Sequence, residues 1–181
     1  MPVKEVLGKY TKEQIKKASQ IKAIFFDVDG VLTDGKIIYD DTGVESKQFN
    51  VKDGYIISHL KKAGILVGII TGRESKVVSN RAAELKLDFC HQGIMDKHAV
   101  FEKLVQFHKL KKKQVAYIGD DINDLAILRD CGLSACPSDA IDYVKPYVDV
   151  VAFAKGGQGV AREISDLVLA AQGVLDKILK P

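Results

Sequence analysis

The sequence has no tryptophan, four prolines, three cysteines and no apolar run near the ~20 residues that a membrane span requires. Each shortage excludes something. Cys90, Cys131 and Cys136 are an odd set without C-x-x-C spacing, so neither a disulfide framework nor a cysteine metal site is expected. They read as small buried hydrophobes in a reducing compartment. The stretch 1–20 is polar and lysine-rich, without the apolar centre of an export signal. A cytoplasmic protein with no membrane association is the expectation. Charge of one sign is also lacking: 27 basic residues face 24 acidic ones, and a net +3 gives no case for nucleic acid. The one basic cluster, Lys109-Leu110-Lys111-Lys112-Lys113, has no interleaved aromatics and reads as a solvated loop. Neither repeats nor low-complexity segments occur. With 181 residues, 46% of them hydrophobic, the chain is expected to bury a real core as one globule.

What is present is a set of short apolar runs that end in polar residues of definite kinds. Ile21 to Phe26 reads as a buried parallel strand and delivers Asp27-Val28-Asp29-Gly30. Ile65 to Ile70 delivers Thr71-Gly72-Arg73, and Val115 to Ile118 delivers Gly119-Asp120-Asp121-Ile122-Asn123-Asp124. Lys97 opens a helix whose apolar face includes Val100, Leu104 and Phe107. In a parallel sheet, strand ends and helix starts converge on one edge, where open α/β sheets place their ligands. Two carboxylates two residues apart repel, and such a pair holds a cation or keeps one member protonated. Gly30 allows the sharp turn and close backbone approach that a ligand there needs.

The alternation of elements predicts an α/β fold with a doubly wound, mostly parallel sheet. Expected helices cover about Gly54–Lys62, Ser75–Leu85, Lys97–Lys109, Asp124–Arg129 and Ala140–Lys145, with a last helix from Ala161. Further strands are expected at Asp88–Cys90, Leu133–Cys136 and Val148–Val151. Three parts are expected: an N-terminal helical extension over 1–20, a core over 21–155, and a glycine-rich tail with its helix over 156–181. Thr11 and Gln14 fit a capping box in the first part. Within the core, 36–50 breaks the rhythm as an inserted β-hairpin turning at Asp40-Asp41-Thr42-Gly43.

These segments resemble the four motifs of the haloacid dehalogenase-like phosphatases: Asp27-x-Asp29-Gly30, Thr71, Lys97, and Gly119-Asp120-Asp121-x-x-Asp124. The stretches Val31-Leu32-Thr33-Asp34-Gly35, Phe49-Asn50-Val51-Lys52-Asp53-Gly54 and Lys155-Gly156-Gly157-x-Gly159-x-x-Arg162-Glu163 further resemble the subgroup acting on 3-deoxy-D-manno-octulosonate 8-phosphate. That resemblance implies a Rossmann-like fold and Mg²⁺-dependent hydrolysis of a sugar-acid phosphate through an aspartyl-phosphate, in lipopolysaccharide inner-core synthesis. It implies Asp27 as nucleophile, Asp29 as general acid–base, and Thr71 and Lys97 as phosphate-handling residues. The Asp27 carboxylate, the Asp29 carbonyl and the Asp120 carboxylate would hold Mg²⁺, with Asp121 and Asp124 behind them. Gly30, Gly72, Arg73, Asn123 and Arg162 would contact substrate, Arg73 through the sugar acid's carboxylate. Against this, Asp124 also reads as a helix N-cap, Arg73 as a partner of Glu74 or Asp53, and Asn123 as a residue that merely shapes the loop.

Two other readings stand beside it. A related nine-carbon keto-deoxy acid phosphate is the alternative substrate. A receiver-like phosphorylated switch uses similar residues, but there the acidic pair precedes the phosphorylated aspartate and the lysine ends a strand. The gaps between motifs leave no room for the cap domain that most such phosphatases carry. The apolar hairpin residues Ile37, Ile38, Tyr39 and Phe49 have no partner strand in the chain's own sheet. The resembled subgroup forms a tetramer in which a neighbouring subunit and its tail cover the site, so a homotetramer of that kind is expected, the alternative being a monomer whose hairpin folds over its own site.

Overall fold

The computed structural model describes residues 2–180. Its centre is a six-stranded sheet in the order β5-β4-β1-β6-β7-β8, every pairing parallel. The strands are β1 (Ala23–Phe26), β4 (Leu66–Ile70), β5 (Phe89–His91), β6 (Val115–Ile118), β7 (Leu133–Cys136) and β8 (Val150–Val151). A separate two-stranded antiparallel hairpin holds β2 (Ile38–Tyr39) and β3 (Glu45–Ser46). No further insertion interrupts the alternation, so the molecule has the capless doubly wound architecture that the sequence implies.

The core follows from period-2 alternation on central strands. Ile24 and Phe26 of β1, Val67 and Ile69 of β4, and Ala116 and Ile118 of β6 face one layer. Ala23, Phe25, Val115 and Tyr117 face the other. The first layer is covered by α3 (Val51–Lys62) and α7 (Val160–Ala171), whose Ile164, Leu167 and Val168 are fully buried. α5 (Lys97–Phe107) and α6 (Leu125–Asp130) cover the second, where Phe25 meets Phe89 edge-on with ring centroids 4.8 Å apart. α4 (Lys76–Glu84) lies beside β5.

The N-terminal helices α1 (Pro2–Leu7) and α2 (Lys12–Ala18) pack against α7. Thr11 and Gln14 close the expected capping box on α2. The Tyr10 hydroxyl donates to Glu163 at 3.2 Å, and the Gln172 amide to the Ile21 carbonyl at 2.7 Å. After α7 a short α8 (Leu175–Ile178) ends the described chain.

The expected helix over Ala140–Lys145 does not form. That stretch is a run of turns with i→i+3 bonds, Val144 N to the Ile141 carbonyl and Tyr147 N to the Val144 carbonyl. The turns run into a single 3₁₀ turn over Lys145–Tyr147, and the few residues between Pro137 and Pro146 cannot repay α-helix nucleation. The hairpin strands are also shorter than the sequence suggested, β3 ending before Lys47. No helix is long and apolar enough to cross a membrane, among the described residues.

β1 is the strand beside which chain order reverses: β4 follows on one side and β6 on the other. Phe26 is level with both Ile69 and Ile118. The residues leaving β1, β4 and β6 therefore emerge together at the crevice where such sheets bind ligands.

Candidate active site

Asp27 leaves β1 with its amide bonded to the Ile118 carbonyl at 2.9 Å, and Thr71 leaves β4 with its amide on the His91 carbonyl at 2.9 Å. Gly119 ends β6 with its amide on the Ala135 carbonyl at 3.2 Å. Lys97 is brought over this edge because Asp96 caps α5, accepting from the Ala99 amide at 3.0 Å. The result is a cavity of about 160 Å³ lined by Asp27, Asp29, Thr71, Gly72, Arg73, Lys97, Asp120, Asp121 and Asn123. A larger groove of about 740 Å³ beside α5 and β5 has apolar walls of Phe89, Val100, Leu104 and Phe107. It holds none of these groups.

The floor is a crowd of carboxylates. Oxygens of Asp27, Asp120 and Asp124 lie within 4.8 Å of one another. Lys97 is buried among them, 2.8 Å from Asp124 Oδ1 and 3.0 Å from Asp27 Oδ1. Asp124 is saturated. Its Oδ1 also accepts from the Tyr117 hydroxyl at 2.6 Å, and its Oδ2 from the amides of Asp120 and Asp121 at 3.0 and 3.3 Å. It occupies the N-cap position of α6 but makes no side-chain cap bond, so the N-cap reading fails. The carboxylate holds the loop to Lys97 instead.

Asp27 and Asp120 are not saturated. Lys97, aligned on Asp124, meets Asp27 Oδ1 off the line of a hydrogen bond, so that buried oxygen has an ion-pair partner but no donor in line. Burial, and then the Asp124 charge, push the Asp27 carboxyl up to about 6 against the opposing pull of Lys97. Burial and the charges of Asp27, Asp124 and Asp121 push Asp120 up to about 8. For Lys97, burial works to lower the pKa, but Asp27 and Asp124 outweigh it and raise it. Three carboxylates against one ammonium leave excess negative charge in a buried place. An orphaned buried oxygen and two carboxylates that resist ionisation are what a divalent, oxygen-seeking cation would relieve. The donor set fits such an ion. Gly30, at φ +87°, is part of this fit: a Cβ there would lie 2.0 Å from Asp120 Oδ2.

The mouth is different. The Asp29 side chain is turned to Lys47 of the hairpin, with which it pairs, and to the Thr33 hydroxyl at 3.4 Å. Arg73 lies 2.9 Å from Glu45 and 4.0 Å from Asp29, and donates to the Tyr39 hydroxyl at 3.3 Å. Its partner is thus Glu45, not the expected Glu74 or Asp53. Asp121 accepts from the Ile122 amide and caps the turn ahead of α6.

Of the residues singled out from sequence, one stands apart within the chain. Arg162 lies in the first turn of α7; its amide donates to Asp53 Oδ1 and its Nε to Asp166 Oδ2, both at 2.7 Å. It does not line its own chain's cavity, because α7 packs on α3 rather than over the crevice. Three residues were missed. Tyr117 sits mid-strand and reads as core, while Glu45 and Lys47 sit on a hairpin arm that reads as an assembly device. Period 2 did offer a signal: Glu45 and Lys47 are two apart and share a face.

Comparison with known proteins agrees with this geometry. A family model described as haloacid dehalogenase-like hydrolase matches residues 87–164. The 3-deoxy-D-manno-octulosonate 8-phosphate phosphatase KdsC of Escherichia coli is 41% identical over 170 residues, 94% of this chain and 90% of that one. The phosphatase of the same name from Moraxella catarrhalis, solved with magnesium, phosphate and KDO, superposes with a TM-score of 0.92 at 37% identity, covering 94% and 98% of the two chains. The cobalt-bound enzyme of Haemophilus influenzae gives 0.84 at 41%, covering 87% and 92%. The chain is therefore a haloacid dehalogenase-like phosphatase, belonging to the family of the 3-deoxy-D-manno-octulosonate 8-phosphate phosphatases.

Proposed function

We propose that this chain hydrolyses 3-deoxy-D-manno-octulosonate 8-phosphate to the free sugar acid and phosphate, with Mg²⁺, in lipopolysaccharide inner-core synthesis. The observation that carries the reading is the Asp27 carboxylate, buried and short of a donor on Oδ1, beside Lys97 in the cavity. The related Moraxella catarrhalis phosphatase, solved with magnesium, phosphate and KDO, supports it. The carboxylates of Asp27 and Asp120 and the Asp29 carbonyl would hold the ion. When bound, Mg²⁺ offsets the repulsion between an anionic nucleophile and an anionic phosphate.

Asp27 attacks phosphorus, and the phosphate–sugar oxygen bond breaks as Asp29, which enters this step protonated and released from its ion pair with Lys47, gives that oxygen a proton. Asp29 then takes a proton from water, which attacks the phosphoryl group on Asp27 and releases phosphate. Thr71, the Gly72 amide and Asn123 hold phosphoryl oxygens, and Lys97 neutralises charge as a compact ammonium. Asp124 fixes Lys97, and Asp121 fixes the loop. Arg73 reads the sugar acid's carboxylate. Gly30 lets its backbone approach.

A homotetramer with the site closed by a neighbour, Arg162 and the tail included, belongs to the same proposal. Its support is the exposure of Ile37, Tyr39 and Val44 on the hairpin, each more than half accessible in a single chain. A cytoplasmic location is supported by three free thiols. The test is phosphate release from a panel of sugar phosphates with Mg²⁺, by the tetrameric fraction from size-exclusion light scattering. Preference for the eight-carbon acid phosphate is expected. Equal rates on glucose 6-phosphate, or preference for the nine-carbon acid, would overturn the substrate.

A further inference from the structure

The mouth of the cavity carries four charged side chains that alternate in sign around a ring. Asp29 pairs with Lys47, Lys47 lies 3.4 Å from Glu45, Glu45 lies 2.9 Å from Arg73, and Arg73 returns to within 4.0 Å of Asp29. The Ser75 hydroxyl adds a hydrogen bond to Glu45. One carboxylate is therefore held by a guanidinium, an ammonium and a hydroxyl at once. That is the chemistry of a carboxylate receptor, and its occupant comes from the chain's own hairpin. The Lys47 side chain is only 1% exposed, so its charge cannot fall back on water if the ring opens.

We propose that Glu45 is a specificity-determining residue: its carboxylate is the resident of the receptor formed by Arg73, Lys47 and Ser75, and the substrate's carboxylate takes its place. The proposal rests on the reading of the substrate as a sugar-acid phosphate. Exchange of one carboxylate for another keeps the ring neutral. A neutral sugar phosphate offers no replacement charge, so Glu45 stays and narrows the entrance. Letting go moves no strand of the core sheet, because Glu45 lies on β3, which pairs within the chain only with β2. The Ser75 hydrogen bond, opposed by burial and joined by Lys47 and Arg73, holds the Glu45 carboxyl below the usual range. The resident is thus anionic, like its competitor.

The test uses the full-length protein with saturating Mg²⁺ and compares wild type with Glu45→Gln. A resident that occupies the receptor most of the time weakens a competitor by the unoccupied fraction, so its removal lowers KM for the acid phosphate by at least ~3-fold relative to any change with glucose 6-phosphate. Free 3-deoxy-D-manno-octulosonate, as product inhibitor, gains by the same factor. Glu45→Asp keeps the charge and leaves the receptor intact but shortens the resident's reach, and shifts KM the same way by less. A KM for the acid phosphate that is unchanged or raised in both variants, with wild-type melting, overturns the inference: Glu45 would then only orient Arg73. A wild type that fails on the acid phosphate overturns the substrate reading and this inference together.

Discussion

The floor and the mouth of one cavity solve opposite electrostatic problems. On the floor, Asp27, Asp120 and Asp124 face a single Lys97, and two of the three carboxyls are held far above their ordinary range. At the mouth, Asp29 and Glu45 face Lys47 and Arg73, and the count is even. An imbalance that burial makes costly calls for a group from outside; a balanced ring calls only for an exchange of partners. Attack on phosphorus belongs to the first; the second selects, and lends Asp29 for proton transfer.

The sharpest break of the floor is Asp27→Asn. It keeps the shape and removes the nucleophile, so turnover should drop by at least ~10³-fold with an unchanged circular dichroism spectrum. Residual activity of several per cent would move the nucleophile elsewhere.

Removing the cation comes next. Asp27 at about 6 and Asp120 at about 8 are raised carboxyls, so the folded chain binds more protons than the unfolded one above their ordinary value of 3.8. Metal-free stability therefore falls as pH rises from about 4 towards 8, and Mg²⁺ reverses the fall at the upper end. Melting temperatures in EDTA and in Mg²⁺ across that range check this. A flat metal-free profile, or activity that survives EDTA, would contradict it.

Floor and mouth are joined by the loop from Gly30 to Asp34, and that loop leans on the tail. A Cβ on Gly156 would lie 2.0 Å from the Gly30 carbonyl oxygen, and Gly157 donates to the Val31 carbonyl at 2.9 Å. Gly156→Ala should destabilise by ~1–3 kcal/mol and lower kcat more than it raises KM, because it shifts the floor. Urea melts and steady-state kinetics read both; unaltered kcat would separate the tail from the site.

The smallest effect should come from a buried carboxylate outside both regions. Asp53 accepts from the Arg162 amide through Oδ1, leaves Oδ2 without a donor, and is pushed up to about 6 by burial against the pull of Arg162 and Arg81. Asp53→Asn keeps the accepting oxygen and removes the charge. Its melting temperature should match wild type near pH 5 and exceed it slightly near pH 8, by under ~1 kcal/mol in stability. A growing deficit with pH would mean that the charge is wanted.

The strands β1, β4 and β6 and the turns that follow them were legible because each is a short apolar run that stops at a polar residue. Asp27, Thr71 and Asp120 could then be placed on one edge from topology alone. Tyr117 was not legible: a tyrosine inside a buried strand looks like bulk, and only the fold puts its hydroxyl under Asp124. Lys47 and Glu45 were hidden differently. Their pairing depends on how far an isolated hairpin leans back, which local pattern does not encode. The failed helix over Ala140–Lys145 shows the reverse error, where composition suggested an α-helix and the stretch between Pro137 and Pro146 is too short to nucleate one.

The late position of α7 has a consequence for how the protein is made. Every residue that lines the cavity is synthesised before Gly156, yet the loop after Asp27 is braced by Gly156 and Gly157, and one face of the sheet is covered by α7. On the ribosome, a nascent chain that has already delivered its whole set of reactive groups still lacks their support. Activity should thus appear late and abruptly during translation, when the α7 segment clears the exit tunnel, and not gradually as the strands emerge.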